Sequence, residues 1–151
     1  MTLVEILIVV AVIAVLASMV MAIAARIDTQ AKEKALQNMF ALLENALQEY
    51  YDFWKIFPDP NKPGYLTHSA ALYGQLQSTP SSRKILENID DSLVKNNPNA
   101  AAGIDMPQLY DPWRTVLDYR YMPGDTFPEL ISAGPDKIFA TADDIRSKDG
   151  S

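Results

Sequence analysis

The chain has no cysteine, a single histidine, and no proline or glycine in its first 25 residues. The absence of cysteine excludes a disulfide framework and any thiolate metal site. The lone histidine, His68, has no patterned partner for a catalytic or metal triad, so we expect no enzymatic activity. The net charge of −6 argues against nucleic acid as a direct partner, because phosphate contacts require a basic patch.

Basic residues are also absent before Arg26, and the first 25 residues are apolar except for Thr2, Glu5 and Ser18. As a helix this stretch spans about 37 Å, enough for a bilayer core of about 30 Å. We therefore predict that residues 1–25 form a transmembrane or filament-core helix. A secretory signal peptide is the alternative, but it requires a basic region ahead of a shorter apolar run.

The apolar span begins at Met1 without the cytoplasmic Lys or Arg that normally flanks a first membrane helix. Removal of a basic leader immediately before Met1 explains this, and the alternative is that Met1 is the initiator. The first reading predicts a processed Met1 with a free α-amino group.

Glu5 is an acid inside this apolar span. Such a carboxylate costs on the order of 3 kcal/mol on insertion scales and requires a partner. The amine of Met1 in the same chain could supply it, or the amine of a neighbouring chain, which would also fix the axial register of an assembly. A third reading places Glu5 at the headgroup level, solvated there.

The first ten residues, Met-Thr-Leu-Val-Glu-Ile-Leu-Ile-Val-Val, resemble the mature N-terminus of type IV pilins and type II secretion pseudopilins. In that family a prepilin peptidase cuts before a large apolar residue and methylates the new amine, and glutamate stands fifth. The resemblance implies that Met1 is the processing and methylation site and that Glu5 and Met1 set the assembly register. Many members carry a proline late in the apolar segment, whereas here none precedes Pro58.

An amphipathic helical pattern continues over residues 26–57 and ends at Pro58, because the residue before a proline is pushed out of the helical region. The aromatic cluster near its end is read as core, with a sugar-binding platform as the alternative. The apolar stripe recurs at three- and four-residue intervals: Leu36, Met39, Phe40, Leu43, Leu47, Tyr50, Tyr51 and Trp54.

Residues 58–151 are predicted to form a globular head. A helical insertion occupies about 65–97, with helices over 68–78 and 80–96. Period-two alternation predicts strands over 116–121 and 127–132, in a small antiparallel sheet that packs on the helix stripe. The fold class is therefore α+β, and the resemblance implies a pilin-like arrangement of long helix and head.

Three aspartates, Asp136, Asp143 and Asp144, lie on a loop marked by glycine and proline. Calcium is bound by hard oxygens from carboxylates, carbonyls and water. Without a cation, each close carboxylate pair would repel by about 4 kcal/mol at an effective dielectric constant of 20. The loop is therefore a candidate calcium site, and a solvated acidic turn is the alternative.

The C-terminal region, about 111–146, also resembles that of type II secretion major pseudopilins. The similar motifs are Asp111-Pro112-Trp113, Ser132-x-Gly134-x-Asp136 and Asp143-Asp144-Ile145. The resemblance departs at Arg114 and Lys137, where the family has glycine, and in the longer segment 58–108. It implies a structural Ca²⁺ held by the side chains of Asp136, Asp143 and Asp144 and by carbonyls of Leu130, Ser132 and Ala140.

Together these resemblances imply a structural subunit of a homo-oligomeric helical filament, either a type II secretion pseudopilus or a type IV pilus. The subunit would start as a single-pass protein of the bacterial inner membrane and end in a periplasmic or extracellular filament. Its partners would be an inner-membrane assembly platform, the prepilin peptidase, and minor pilins or pseudopilins. The alternative function is a minor tip pilin that acts as a membrane-anchored binding or adhesion module.

Overall fold

The computed structural model describes residues 2–150, without the side chains of residues 22–25, 149 and 150. The described chain divides into two units. The first ends at Lys34 and is called the N-terminal unit. The second begins at Ala35 and is called the head from here on, so that this name now includes residues 35–57 as well as the predicted head of 58–151. The layout is α+β, as predicted. The elements are α1 (Leu3–Trp54), α2 (His68–Gln77), α3 (Pro80–Leu86), β1 (Val94–Asn96), β2 (Pro107–Leu109), β3 (Asp118–Arg120), β4 (Glu129–Ser132) and β5 (Ile145–Arg146), with short 3₁₀ helices at Asp91–Leu93 and Ser147–Gly150.

The predicted long N-terminal helix is confirmed as the 52 residues of α1. It ends where Lys55 adopts a positive φ of 59°, three residues before Pro58. The buried stripe follows the predicted spacing through Tyr50 but excludes Tyr51 and Trp54, which are exposed. Phe57, which follows the turn at Lys55, is buried in the core.

Helix α2 confirms the predicted helix over 68–78. The Thr67 side chain caps its start by accepting a hydrogen bond from the Ala70 amide at 3.1 Å, which satisfies one donor that the first turn leaves free. Leu72 and Leu76 are fully buried.

The predicted helix over 80–96 is wrong beyond Leu86, where α3 ends. The Asn88 side-chain amide donates to the carbonyls of Lys84 and Ile85 at 3.1 and 3.3 Å, and Asp90 accepts from the Ser92 amide at 2.8 Å. Short polar side chains of this kind compete with helical hydrogen bonding. Residues 94–96 therefore form β1 instead of helix and pair antiparallel with β2.

A second antiparallel sheet has the order β3-β4-β5. Leu117 and Tyr119 are buried, and the Tyr119 hydroxyl donates to the Pro58 carbonyl at 2.9 Å. The head thus has one core in which α1, α2, α3 and strands from both sheets participate. Its members are Leu36, Met39, Phe40, Leu43, Ala46, Leu47, Tyr50, Phe57, Leu72, Leu76, Leu86, Ile89, Leu109, Trp113, Leu117, Tyr119 and Leu130.

Candidate assembly helix and candidate metal site

The N-terminal unit presents an apolar surface. Its large apolar side chains between Leu3 and Met21 are all exposed, from 50% for Ile6 to 82% for Leu3. Among the described residues, α1 is the one helix that is long and apolar enough to cross a membrane. Water is a poor surrounding for so continuous an apolar surface, and its length and composition are compatible with a single-pass membrane anchor.

Glu5 closes a capping box at the start of α1. Its Oε2 accepts hydrogen bonds from the Thr2 amide at 2.7 Å and the Thr2 hydroxyl at 3.1 Å. In return, the Glu5 amide donates to the Thr2 hydroxyl at 3.4 Å. The motif was not predicted, although the sequence carries its signal, a threonine followed three residues later by glutamate.

Met1 lies outside the described residues, so its processing and its pairing with Glu5 stay predictions. The capping box gives the Glu5 carboxylate two donors within its own chain. It leaves the formal negative charge in place, because neither donor is a cation. Glu5 therefore has a local structural role whether or not it also has a cationic partner.

The acidic loop folds back on itself through its aspartates. Asp143 Oδ2 accepts from the Asp136 amide at 3.0 Å, and Asp143 Oδ1 accepts from the Thr141 hydroxyl at 2.6 Å. These two donors, the Thr141 hydroxyl foremost, hold the pKa of Asp143 below its ordinary value. Asp144 Oδ2 accepts from the Ala140 amide at 2.9 Å. Two of the predicted ligands thus organise the loop that contains them.

One carboxylate oxygen of the loop lacks a partner. Asp144 Oδ1 is shielded from solvent and has no hydrogen bond, and a buried acceptor left unsatisfied costs about 1–3 kcal/mol. A cation there would remove that cost, and hard oxygen donors are the ligands that calcium takes. In its donor chemistry, the loop therefore fits calcium.

The arrangement of the other predicted ligands is less complete. Asp136 is exposed, and its Oδ1 accepts from the Ile138 amide at 2.8 Å. Leu130 and Ser132 lie buried on β4, while Ala140 is exposed in the loop. Across the part of the chain that the structure describes, no three His, Cys, Asp or Glu side chains are gathered into a metal-binding group. The three aspartates share a loop without converging on one point.

Four positions in the acidic loop and in the turn over residues 111–116 have left-handed backbone. Arg114, Lys137, Gly134 and Ala140 adopt φ values of 71°, 63°, 64° and 67°. The first two are the positions where the resembled family has glycine, the residue that enters this region at no steric cost. At Gly134 the backbone is also crowded, because a Cβ there would lie 2.2 Å from the Asp143 carbonyl oxygen.

A cluster of polar side chains that was not predicted lies at the surface of the head, around Asp118. Asp118 Oδ1 lies 2.8 Å from His68 Nδ1, and Asp118 Oδ2 lies 2.7 Å from Arg120 Nε. His68 and Asp118 are 50 positions apart, so only the packing of α2 beside β3 brings them together. Surface pairs of this kind contribute about 0–1 kcal/mol.

The chain matches no family model. It also matches no curated protein and no solved structure. An assignment of function therefore rests on the chain's own residues and on their resemblance to the pilin motifs.

Proposed function

We propose that this protein is a structural subunit of a helical filament of the type IV pilin and pseudopilin class, held in the bacterial inner membrane before assembly. The single observation that carries the proposal is Glu5, an acid close to the start of an exposed apolar helical surface. Assembly would place the apolar helices of many copies side by side and exchange lipid contacts for protein contacts.

The energetics of Glu5 support an assembled state over a lone membrane helix. In lipid, an ionised carboxylate costs on the order of 3 kcal/mol on insertion scales. The Thr2 donors lower that cost but leave the charge uncompensated. The α-amino group of a neighbouring copy's Met1 would neutralise it and would also fix the axial stagger between the two chains.

The acidic loop supports a stabilising role for calcium within the head. Asp136, Asp143 and Asp144 would supply carboxylates, and Leu130, Ser132 and Ala140 would supply carbonyls. When bound, the ion would neutralise the aspartates and cross-link the loop in a chain that has no cysteine for a disulfide. The shielded, unpartnered oxygen of Asp144 is the observation that favours it.

The decisive test distinguishes two roles of Glu5, its hydrogen bonds in the capping box and its negative charge. Glu5→Gln keeps an acceptor at a position where glutamine also closes a capping box, but it removes the charge. Glu5→Ala removes both. We expect both variants to insert in the membrane and both to lose most filament assembly, measured by electron microscopy and by sedimentation of sheared filaments.

Thr2→Val is the matched control, because it removes the hydroxyl of the cap and leaves the carboxylate. It should assemble far better than Glu5→Gln. If Glu5→Gln forms filaments like the unmodified chain, Glu5 acts as a cap alone, and the register proposal is refuted.

A filament-tip binding module is the second candidate. It is favoured by the exposed side chains of Phe53 and Trp54 near the end of α1, with Ile56 beyond it, since large exposed apolar groups are typical of binding surfaces. Immunogold labelling of native filaments distinguishes the two. Label along the whole length supports the structural subunit, and label confined to one end supports the tip module.

A further inference from the structure

A buried carboxylate outside the predicted metal ligands organises the turn over residues 111–116. Asp111 is fully buried. Its Oδ1 accepts from the amides of Trp113 at 3.0 Å and Thr115 at 2.7 Å. Burial raises the pKa of Asp111, although these hydrogen bonds oppose the shift. The position of the turn therefore depends on the Asp111 side chain.

The second oxygen of Asp111 connects this turn to the acidic loop. Ser132 donates its hydroxyl to Asp111 Oδ2 at 2.7 Å, and the same hydroxyl oxygen accepts from the Gly134 amide at 3.1 Å. Gly134 in turn packs directly against the Asp143 backbone. A continuous chain of contacts thus runs from the loop, through Ser132, to Asp111.

At the far end of this chain lies Trp113. It is 8% exposed and belongs to the core of the head, and its amide is bound by Asp111. The turn is closed by further backbone bonds, from the Asp111 amide to the Thr115 carbonyl at 2.8 Å and from the Arg114 amide to the Asp111 carbonyl at 2.9 Å. A shift of Asp111 would therefore move the backbone of Trp113.

We propose that Ser132 and Asp111 are positioning residues that transmit the ordering of the acidic loop to Trp113 and so to the core of the head. The inference deepens the proposed function and rests on its calcium claim. Cation binding at the aspartates would fix the loop around Gly134, hold the Ser132 hydroxyl in one orientation, and thereby tighten the turn over residues 111–116. Calcium would then stabilise the packing of the head as well as the loop.

The side-chain route can be separated from a route along the strand. Ser132 also pairs through its backbone with Ile145 on β5, and that pairing survives Ser132→Ala, as does the Ser132 carbonyl that is a predicted ligand. Ser132→Ala therefore removes the hydroxyl alone. Ser82→Ala is the matched control, since Ser82 is equally buried and its hydroxyl donates to the Ala46 carbonyl at 2.9 Å, away from the acidic loop.

The test follows Trp113 while the full chain in detergent micelles is titrated with Ca²⁺. The sequence has two tryptophans, so Trp54→Phe leaves Trp113 as the only tryptophan fluorophore. In that background, Ca²⁺ should change Trp113 emission along the same curve as the heat of binding measured by calorimetry. Hydrogen exchange at the Trp113 and Thr115 amides should slow over the same range.

With Ser132→Ala added, we expect most of the Trp113 response and of the slowed exchange to disappear. The calcium affinity should fall by less than about tenfold, which corresponds to about 1.4 kcal/mol. Ser82→Ala should keep both responses. This pattern would support transmission through the Ser132 hydroxyl.

Two results would overturn the inference, and they are distinguishable. If calorimetry shows calcium binding but Trp113 and Thr115 do not respond, or respond equally in Ser132→Ala, the positioning role is wrong and the metal site stands. If neither heat nor any spectroscopic change accompanies Ca²⁺, the metal site and this inference fall together. The filament proposal would still be decided by the Glu5 variants.

Discussion

Leu16 and Leu43 are both leucines of α1, yet Leu16 is 57% exposed and Leu43 is fully buried. The difference separates the two units of the chain. In the N-terminal unit the described apolar side chains have no protein to cover them, whereas in the head the apolar face of α1 is covered by α2, α3 and both sheets. The head completes its own core within one chain, whereas the described apolar side chains of the N-terminal unit remain exposed.

The largest effect on stability is expected when each of these two leucines is replaced by alanine in turn and the two variants are compared. Leu43→Ala removes a fully buried side chain and should lower the free energy of unfolding of the head by about 2–5 kcal/mol. Leu16→Ala should leave that free energy unchanged, because the side chain contributes nothing to the core of the head. Near-ultraviolet circular dichroism during thermal unfolding in micelles would measure both. Equal losses would contradict the division into two units.

The sequence predicts the long helix well and the head less well. The 3.6-residue pattern and the scarcity of glycine and proline predict α1, and burial at Leu36 and Leu47 follows that pattern. The failure at 80–96 arose because apolar spacing continues past Leu86, while Asn88 and Asp90 supply local hydrogen bonds that end the helix. Side chains that compete with helical hydrogen bonds in this way do not change the spacing of the apolar residues, so the spacing alone does not show where the helix ends.

In the candidate sites, contacts between residues close in the sequence were predictable, and contacts between distant residues were not. Asp136, Asp143 and Asp144 lie within one loop, so their neighbourhood follows from the sequence, although their convergence does not. Contacts such as Ser132 with Asp111 join residues 21 positions apart and depend on which strands pair. The Thr2–Glu5 box is local and could have been predicted from its spacing.

The next prediction tests the acidic loop of the head. Gly134 and Gly103 both have left-handed backbone, with φ of 64° and 83°, but only Gly134 has a neighbour where a Cβ would lie. Gly103→Ala should lower the free energy of unfolding by about 1–2 kcal/mol through backbone conformation alone.

Gly134→Ala should lower it further, since the new methyl group would collide with the Asp143 carbonyl and force the loop apart. Urea unfolding of the two variants side by side would measure the difference. If both variants lose the same free energy, the close approach of Gly134 and Asp143 is absent in solution.

A smaller effect of opposite sign is expected at Lys137. Its left-handed backbone, with φ of 63°, costs a non-glycine residue on the order of 1–3 kcal/mol. Glycine removes this cost, but its greater freedom in the unfolded chain cancels about 0.4–1 kcal/mol of the gain in stability. Lys137→Gly should therefore stabilise the head by about 1 kcal/mol. Lys137→Ala is the control, because it removes the amine and retains the backbone cost. A gain in both variants would assign the effect to charge instead.

The smallest effect concerns Asp90, which caps the 3₁₀ helix Asp91–Leu93. Hydrogen bonds from the Ser92 side chain and amide hold the pKa of Asp90 below its ordinary value. A lowered pKa in the folded state gives stability that is present above the ordinary pKa and is lost as the pH falls through the lowered one. Ser92→Ala should raise the pKa of Asp90, so that Asp90 contributes less stability and the loss is complete at a higher pH. Titration of Asp90 by NMR would show the shift, and an unchanged pKa would exclude the Ser92 side chain as its cause.

A helical reconstruction of the native assembly by electron cryomicroscopy would show most directly what surrounds the N-terminal unit in its native state. We predict a filament in which the apolar helices pack together and a Glu5 carboxylate oxygen lies within about 4 Å of the terminal nitrogen of another copy, the usual limit for an ion pair. Native material that remains monomeric in lipid, or filaments in which Glu5 contacts only its own Thr2, would contradict the account.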